Sequence, residues 1–428
     1  MFNKIHKTVL HSGIRVLTLN MPSRRGVAAG VWIDSGSRDD PEGKEGLSHL
    51  TEHMMFKGTP SRSALDIARE LESIGASEDG YTSQEETCYY IYLPGEQIAR
   101  GMDILGDMVS NASIDDELFR REISVVASEM SDIDDTPSEI ARDYFSTAVF
   151  GDHPLGHSIL GYPSTVEAIS RDDIVRFVEG EYCAPRLILA AVGNIDHEEF
   201  CGLVEKNFTV GREIYPKKRT PPAPIDAGKI HVFPKDTSQL SIYIGGRSFA
   251  FDDPRRYSIG VLDAILGRGP SSLLFHRLRE EEGIGYRIFS FGEYFGDCGL
   301  WGIFANIDPS STARFFEVVD SIFDDITDGT AVAERFDEII QGVSGRIELQ
   351  NDSVSGLLAR LVETELYCGR WISPDETLER LLKLTPDDIV AVAEDILDRG
   401  KITAVCHGKS KSDGFPAWLE PTEGKLAR

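Results

Sequence analysis

The sequence predicts an α+β fold built twice over, each copy a mostly antiparallel sheet with helices packed on one face. Three observations carry this. Stretches rich in Val, Ile, Thr and Tyr alternate with stretches whose apolar residues recur at helical spacing. Two features of the first half return in the second at an offset of 215 residues. A proline-rich, basic segment lies where the first copy should end.

Taken in order, strands are expected at 14–20 and 27–34, then a helix over 45–56 whose apolar positions are Leu47, Leu50, Met54 and Met55. Ser61-Arg62-Ser63 starts a second helix (Ala64, Ile67, Ala68, Leu71, Ile74), and Gly75 ends it as a C′ glycine should. The run from Asp79 to Leu93 reads as one long strand. Helices follow at about 95–111, 115–130, 137–148 and 171–182, and Arg186–Val192 closes the unit as a buried strand. Tyr215-Pro216-Lys217-Lys218-Arg219-Thr220-Pro221-Pro222-Ala223-Pro224 has no apolar periodicity and reads as a linker. The expected domains are therefore 1–215 and 229–428, joined by 216–228.

Beyond the linker the pattern restarts. Asp172-Asp173-Ile174-Val175 is echoed by Asp387-Asp388-Ile389-Val390, and Val192-Gly193 by His407-Gly408. A common tetrapeptide alone could be coincidence; the same offset in two features 20 residues apart points to duplication.

Bulk composition narrows the function. The 428 residues suffice for two or three domains, and 41% apolar with 27% charged residues is globular usage. No apolar run approaches the roughly 18 residues of a membrane helix. The first residues lack a signal-peptide or transit-peptide pattern, so the default expectation is a cytoplasmic protein. Six scattered cysteines without a Cys-x-x-Cys read as reduced, mostly buried thiols. A net charge of −27 argues against nucleic acid as a general partner; it suits solubility and would attract basic peptides if the acids line a cavity.

One stretch organises the rest: His49-Leu50-Thr51-Glu52-His53. On a helix His49, Glu52 and His53 share a face. Two imidazoles one turn apart can bind one zinc, and the carboxylate between them can take a proton from zinc-bound water. An amphipathic helix that happens to carry two histidines would look the same, so a third ligand is needed. The 115–129 stretch reads as a second amphipathic helix with Glu122 and Glu129 two turns apart on one face.

Together these residues resemble the M16 (pitrilysin, or inverzincin) family of zinc metallopeptidases, whose ligands are the two histidines and a glutamate roughly 75 residues on, in a Glu-x6-Glu pair. Glu129 lies 76 positions after His53 and pairs so with Glu122. The resemblance implies His49, His53 and Glu129 as ligands of one Zn2+, Glu52 as general base and Glu122 as accessory acid. It extends to about residue 410 and is closest to short two-domain members, such as the mitochondrial processing peptidase beta subunit and bacterial M16B peptidases. In these, one copy is active and the other degenerate; the matching helix near Tyr257–Gly267 has no histidine.

Leu278–Arg287 is similar to the family's Arg-x6-Tyr pair, which implies that Arg279 and Tyr286 bind substrate and the tetrahedral intermediate. The strand facing the metal helix usually carries Gly-Gly-x-x-Asn-Ala-x-Thr in this family. Here Gly75–Thr82 stands in its place, giving Asp79, Gly80, Tyr81 and Thr82 as candidate substrate-binding residues. Asp79 for Asn exchanges an amide that can donate for a carboxylate that only accepts.

The resemblance further implies an extended peptide substrate added to the edge of the 79–93 strand, an enclosed chamber that selects unfolded peptides, a homodimer, and a bacterial source. A non-catalytic assembly or peptide-binding subunit, and a catalytic subunit needing a distinct partner chain, stay open as alternatives. Gly267-Arg268-Gly269-Pro270-Ser271-Ser272 lacks the lysine and spacing of a phosphate loop and reads as a turn. His153 and His157 read as non-catalytic loop residues, and no Gly-x-Ser-x-Gly supports a serine hydrolase.

Overall fold

The computed structural model describes residues 5–212, 219–409 and 414–423. Two compact units emerge: Met1–Ser131 with His157–Arg219 and Gln350–Trp371, and Asp132–Gly156 with Thr220–Leu349 and Ile372–Arg428.

The first unit is built on β1 (Ile5–Val9), β2 (Arg15–Asn20), β3 (Gly26–Ile33), β4 (Ser77–Thr82), β5 (Thr87–Pro94) and β6 (Leu187–Gly193), in the order β1-β2-β6-β3-β5-β4. The β2–β6 pair is parallel and the other pairs are antiparallel. One face carries the main helical layer: Val27, Val31, Tyr89, Ile91 and Leu189 pack there with Leu50, Met54, Leu71, Leu105 and Ile174. The opposite face holds Leu17, Leu19, Trp32 and Ile188 against Leu357, Leu358 and Leu361 of the helix Val354–Cys368. That helix comes from the second half of the sequence.

The second unit repeats the plan with β7 (Lys229–Phe233), β8 (Leu240–Ser248), β9 (Arg287–Tyr294), β10 (Gly299–Ile307), β11 (Thr403–His407) and β12 (Glu420–Glu423), ordered β12-β7-β11-β8-β10-β9. Its second face takes Ala141, Phe145 and Val149 of the helix Pro137–Phe150, from the first half of the sequence, against Tyr243, Leu300, Phe304 and Val405. The compact units thus cut across the contiguous domains 1–215 and 229–428. Each half of the chain gives one amphipathic helix to the other unit's sheet.

The repeated tetrapeptide has a structural reason. Asp173 and Asp388 each sit three residues after an N-cap hydroxyl: Ser170 N donates to Asp173 Oδ2 at 2.8 Å, and Thr385 N to Asp388 Oδ2 at 2.8 Å. The serine and threonine hydroxyls accept in return from the aspartate N–H groups. Each reciprocal cap satisfies two helix-end donors. The closing glycines, Gly193 and Gly408, have φ of 139° and 134°, a conformation that side chains resist.

One expectation is corrected. The run 79–93 is a hairpin, not a single strand: β4 and β5 pair antiparallel, with Thr82 opposite Thr87. Ser83 turns the chain, its N–H donating to Glu86 O at 2.8 Å and its hydroxyl accepting from Glu86 N at 3.1 Å. The turn is anchored below by a buried ion pair, Arg38 Nη1–Glu85 Oε1 at 2.6 Å. Of the expected linker, 216–218 lies outside the described residues. Arg219, which follows it, is held by Asp34, Asp39 and the Glu85 carbonyl of the first unit.

Candidate active site

The metal helix runs Leu47–Met55 and buries Leu47, Leu50, Met54 and Met55, as its periodicity requires. Asp40 holds its first turn, accepting from Gly46 N at 2.8 Å and Ser48 N at 2.9 Å. Burial pushes the Asp40 carboxyl up to about 7 in spite of those bonds. The opposite face of the helix presents His49 and His53, with ring centroids 4.6 Å apart.

The facing helix, Asp116–Asp135, buries Phe119, Glu122 and Val126 and so turns Glu122 and Glu129 to one side. His49 Nε2 lies 3.8 Å from Glu129 Oε2, and His53 Nε2 lies 3.7 Å from Glu129 Oε1. One donor atom from each of His49, His53 and Glu129 lies within 4.8 Å of the others; among the described residues this is the group able to hold a metal ion. Two nitrogens and one carboxylate form a donor set that suits zinc, whose fourth position is taken by water or substrate in catalytic sites. Burial, and then His53, lower the His49 pKa to about 4, so this imidazole is neutral at ordinary pH, as a ligand must be.

Glu52 precedes His53 and is only 8% exposed. Thr82, at the end of β4, donates its hydroxyl to Glu52 Oε2 at 3.0 Å. Burial raises the Glu52 pKa and the threonine bond acts against it. Glu122 meets His53 through Oε2, 3.2 Å from Nδ1. Its Oε1 is 2.8 Å from Lys57 Nζ, a residue that reading the sequence alone passed over.

β4 is the outermost strand of its sheet. Its side chains alternate, so the four candidates there divide. Gly80 and Thr82 face the metal helix, and a Cβ on Gly80 would come 3.0 Å from the Phe56 ring that ends it. Asp79 and Tyr81 point to the other face. Tyr90 OH donates to Asp79 Oδ2 at 3.3 Å, while Tyr81 OH donates to Glu86 Oε1 at 2.8 Å and accepts from Trp32 Nε1 at 3.2 Å. The outward backbone of β4 belongs instead to Gly80 and Thr82, and Asp79 Oδ1 accepts from the Gly80 N–H at 2.9 Å.

In the second unit Arg279 lies on the π-helical turn Phe275–Glu281, and Tyr286 immediately precedes β9. The guanidinium stacks 4.5 Å from the centroid of the Tyr286 ring, which is 73% exposed. The helix matching the metal helix, Arg256–Leu266, carries Asp263, bound to Arg268 at 2.8 Å and to the Ser290 hydroxyl, and no histidine.

The chain is similar to known proteins over most of its length. Residues 15–162 match the family model described as "Insulinase (Peptidase family M16)", and residues 168–343 match "Peptidase M16 inactive domain". An "Uncharacterized zinc protease" of Streptomyces coelicolor is 32% identical over 402 residues, 92% of this chain and 88% of that protein. The chain belongs to peptidase family M16. A Mycobacterium tuberculosis protein of the same description is 32% identical over 417 residues, 95% of this chain and 94% of the relative. The crystal structure of a protease from Helicobacter pylori superposes with a TM-score of 0.89 at 20% identity, covering 96% of this chain and all of that one; it shares the fold. In this M16 chain the second match begins within the first unit, before the linker, and runs into the second. No described helix of the chain is long and apolar enough to cross a membrane.

Proposed function

We propose that this M16 peptidase is a zinc-dependent endopeptidase cutting short, unfolded peptides in an enclosed chamber, in the cytoplasm of a bacterium and as a homodimer. One observation carries the reading. Two imidazole nitrogens and a carboxylate converge within 4.8 Å, beside a buried carboxylate on the same helical turn.

His49, His53 and Glu129 would hold one Zn2+. When bound, zinc supplies a Lewis acid and brings a coordinated water's pKa to about 7. Glu52 takes the proton of the attacking water and delivers it to the leaving amine, keeping one carboxylate in two successive roles. Thr82 fixes the direction of that carboxylate. The free edge of β4 holds the peptide backbone by strand addition, which only an extended, unpaired chain can satisfy. Glu122 orients His53. The resemblance implies Arg279 and Tyr286 as donors to the peptide carbonyl, and in the proposed homodimer the pair of one chain serves the zinc of the other.

Cleavage-site profiling of a mixed peptide library tests this, using the purified chain alone with and without chelator. Chelator-sensitive cleavage of unfolded peptides is expected. Peptide retention with no cleavage would instead mark a peptide-holding subunit, and activity only on adding another chain would mark an obligate partner. Sedimentation equilibrium checks the homodimer.

A further inference from the structure

The zinc reading explains His49, His53, Glu129 and Glu52, but it gives no role to Lys57. This lysine follows the metal helix, its backbone N–H still bonded to Met54 O at 3.2 Å. Its ammonium reaches Glu122 Oε1 at 2.8 Å, while the other oxygen of the same carboxylate lies 3.2 Å from His53 Nδ1. Glu122 is 6% exposed, so its orientation is set by these two partners rather than by water. An ionised carboxylate only accepts hydrogen bonds. Facing Glu122, His53 must carry its proton on Nδ1, and its Nε2 lone pair is then free on the side of Glu129. His49 differs: its Nδ1 is buried with no hydrogen-bond partner among the described residues.

We propose that Lys57 is a positioning residue of the metal site: it pins the Glu122 carboxylate, which fixes the ring angle and tautomer of His53. This rests on the zinc reading of the site. Outer partners of ligating histidines typically change metal affinity by 10- to 100-fold. Lys57 acts one step further out, so an effect of about 10-fold is expected.

The test compares wild type with Lys57→Met and Lys57→Arg, with Lys57→Gln as a second neutral variant should the methionine protein fold poorly. Zinc affinity is measured by competition with a chromophoric chelator, and the imidazole tautomers by 15N NMR of the metal-free proteins. Lys57→Met should weaken zinc about 10-fold and mix the tautomers of His53 while leaving His49 unchanged; Lys57→Arg should restore both. Wild-type zinc affinity and an unaltered His53 tautomer in the neutral variants would overturn the proposal. Should wild type bind no zinc, the zinc reading fails, and the His53 tautomer in the metal-free proteins still decides whether Lys57 positions the ring.

Discussion

Thr82 donates its side-chain hydroxyl to Glu52 Oε2 across 3.0 Å, tying the end of the outermost strand to the middle of the metal helix. The strand edge proposed to receive the peptide and the carboxylate proposed to activate water are thus held by one bond. Gly80, two residues earlier on the same face, lets β4 lie against Phe56 at the end of that helix. On the proposed reading, peptide docking and base position are coupled through β4.

Removing the bond tests the coupling. Thr82→Val keeps the shape and loses the donor. A hydrogen bond to a charged group contributes about 1.5–3 kcal/mol, so kcat should fall by about 10- to 100-fold with a smaller change in KM. The bond holds the Glu52 pKa down against burial. Without it that pKa rises further, and the acid limb of the kcat profile should move to higher pH. Thr82→Ser should recover most of the activity. An unchanged pH profile with lower kcat would show that the threonine acts in another way.

Glu52→Gln removes a base and no metal ligand. Hydrolysis should fall by more than about 100-fold, the usual minimum for loss of a general base, with zinc content and peptide binding close to wild type. Residual cleavage above a hundredth of the wild-type rate would assign the base elsewhere.

Glu129→Gln takes the charged donor from the group formed with His49 and His53. The purified variant should lose its zinc on dialysis, while wild type retains about one ion per chain. Elemental analysis reads both. A stoichiometry near two, or full retention by the variant, would contradict the assignment.

Part of this site was legible from helical geometry, and the resemblance to the M16 family implied which two helices belong together and what each residue does. His49, Glu52 and His53 must share a face, and Glu122 and Glu129 must lie on one side of their helix. The repeat was legible for a comparable reason, since Asp173 and Asp388 are helix caps and Gly193 and Gly408 sit where only glycine is comfortable. The exchanged helices were not. The apolar stripe of Pro137–Phe150 says that one face is buried, and nothing local says against which sheet. The 79–93 hairpin was hidden because its turn, Ser83–Glu86, contains neither glycine nor proline; it is held instead by the serine hydroxyl and the distant Arg38. Lys57 was missed because its partner Glu122 is far along the chain, and only the packing of two helices brings them together.

The same turn carries a pH prediction. Glu86 is 8% exposed; its Oε1 accepts from Tyr81 OH, and its Oε2 has no hydrogen-bond partner among the described residues. Burial, helped by the negative charges of Glu363, Asp34 and Glu85, pushes its carboxyl from the ordinary 4.5 up to about 7. A carboxyl raised on folding stabilises the fold fully below pH 4.5 and loses that contribution as pH climbs through 7, because the folded state must then hold an ionised, poorly solvated group. The largest loss from this one group is on the order of 3 kcal/mol. Glu86→Gln keeps an acceptor for Tyr81 and cannot ionise. Its melting temperature should equal that of wild type near pH 4.5 and exceed it at pH 8, with the gap opening between those values. Thermal melts of both proteins across that range decide the matter, and a gap independent of pH would rule out ionisation of Glu86 as its cause.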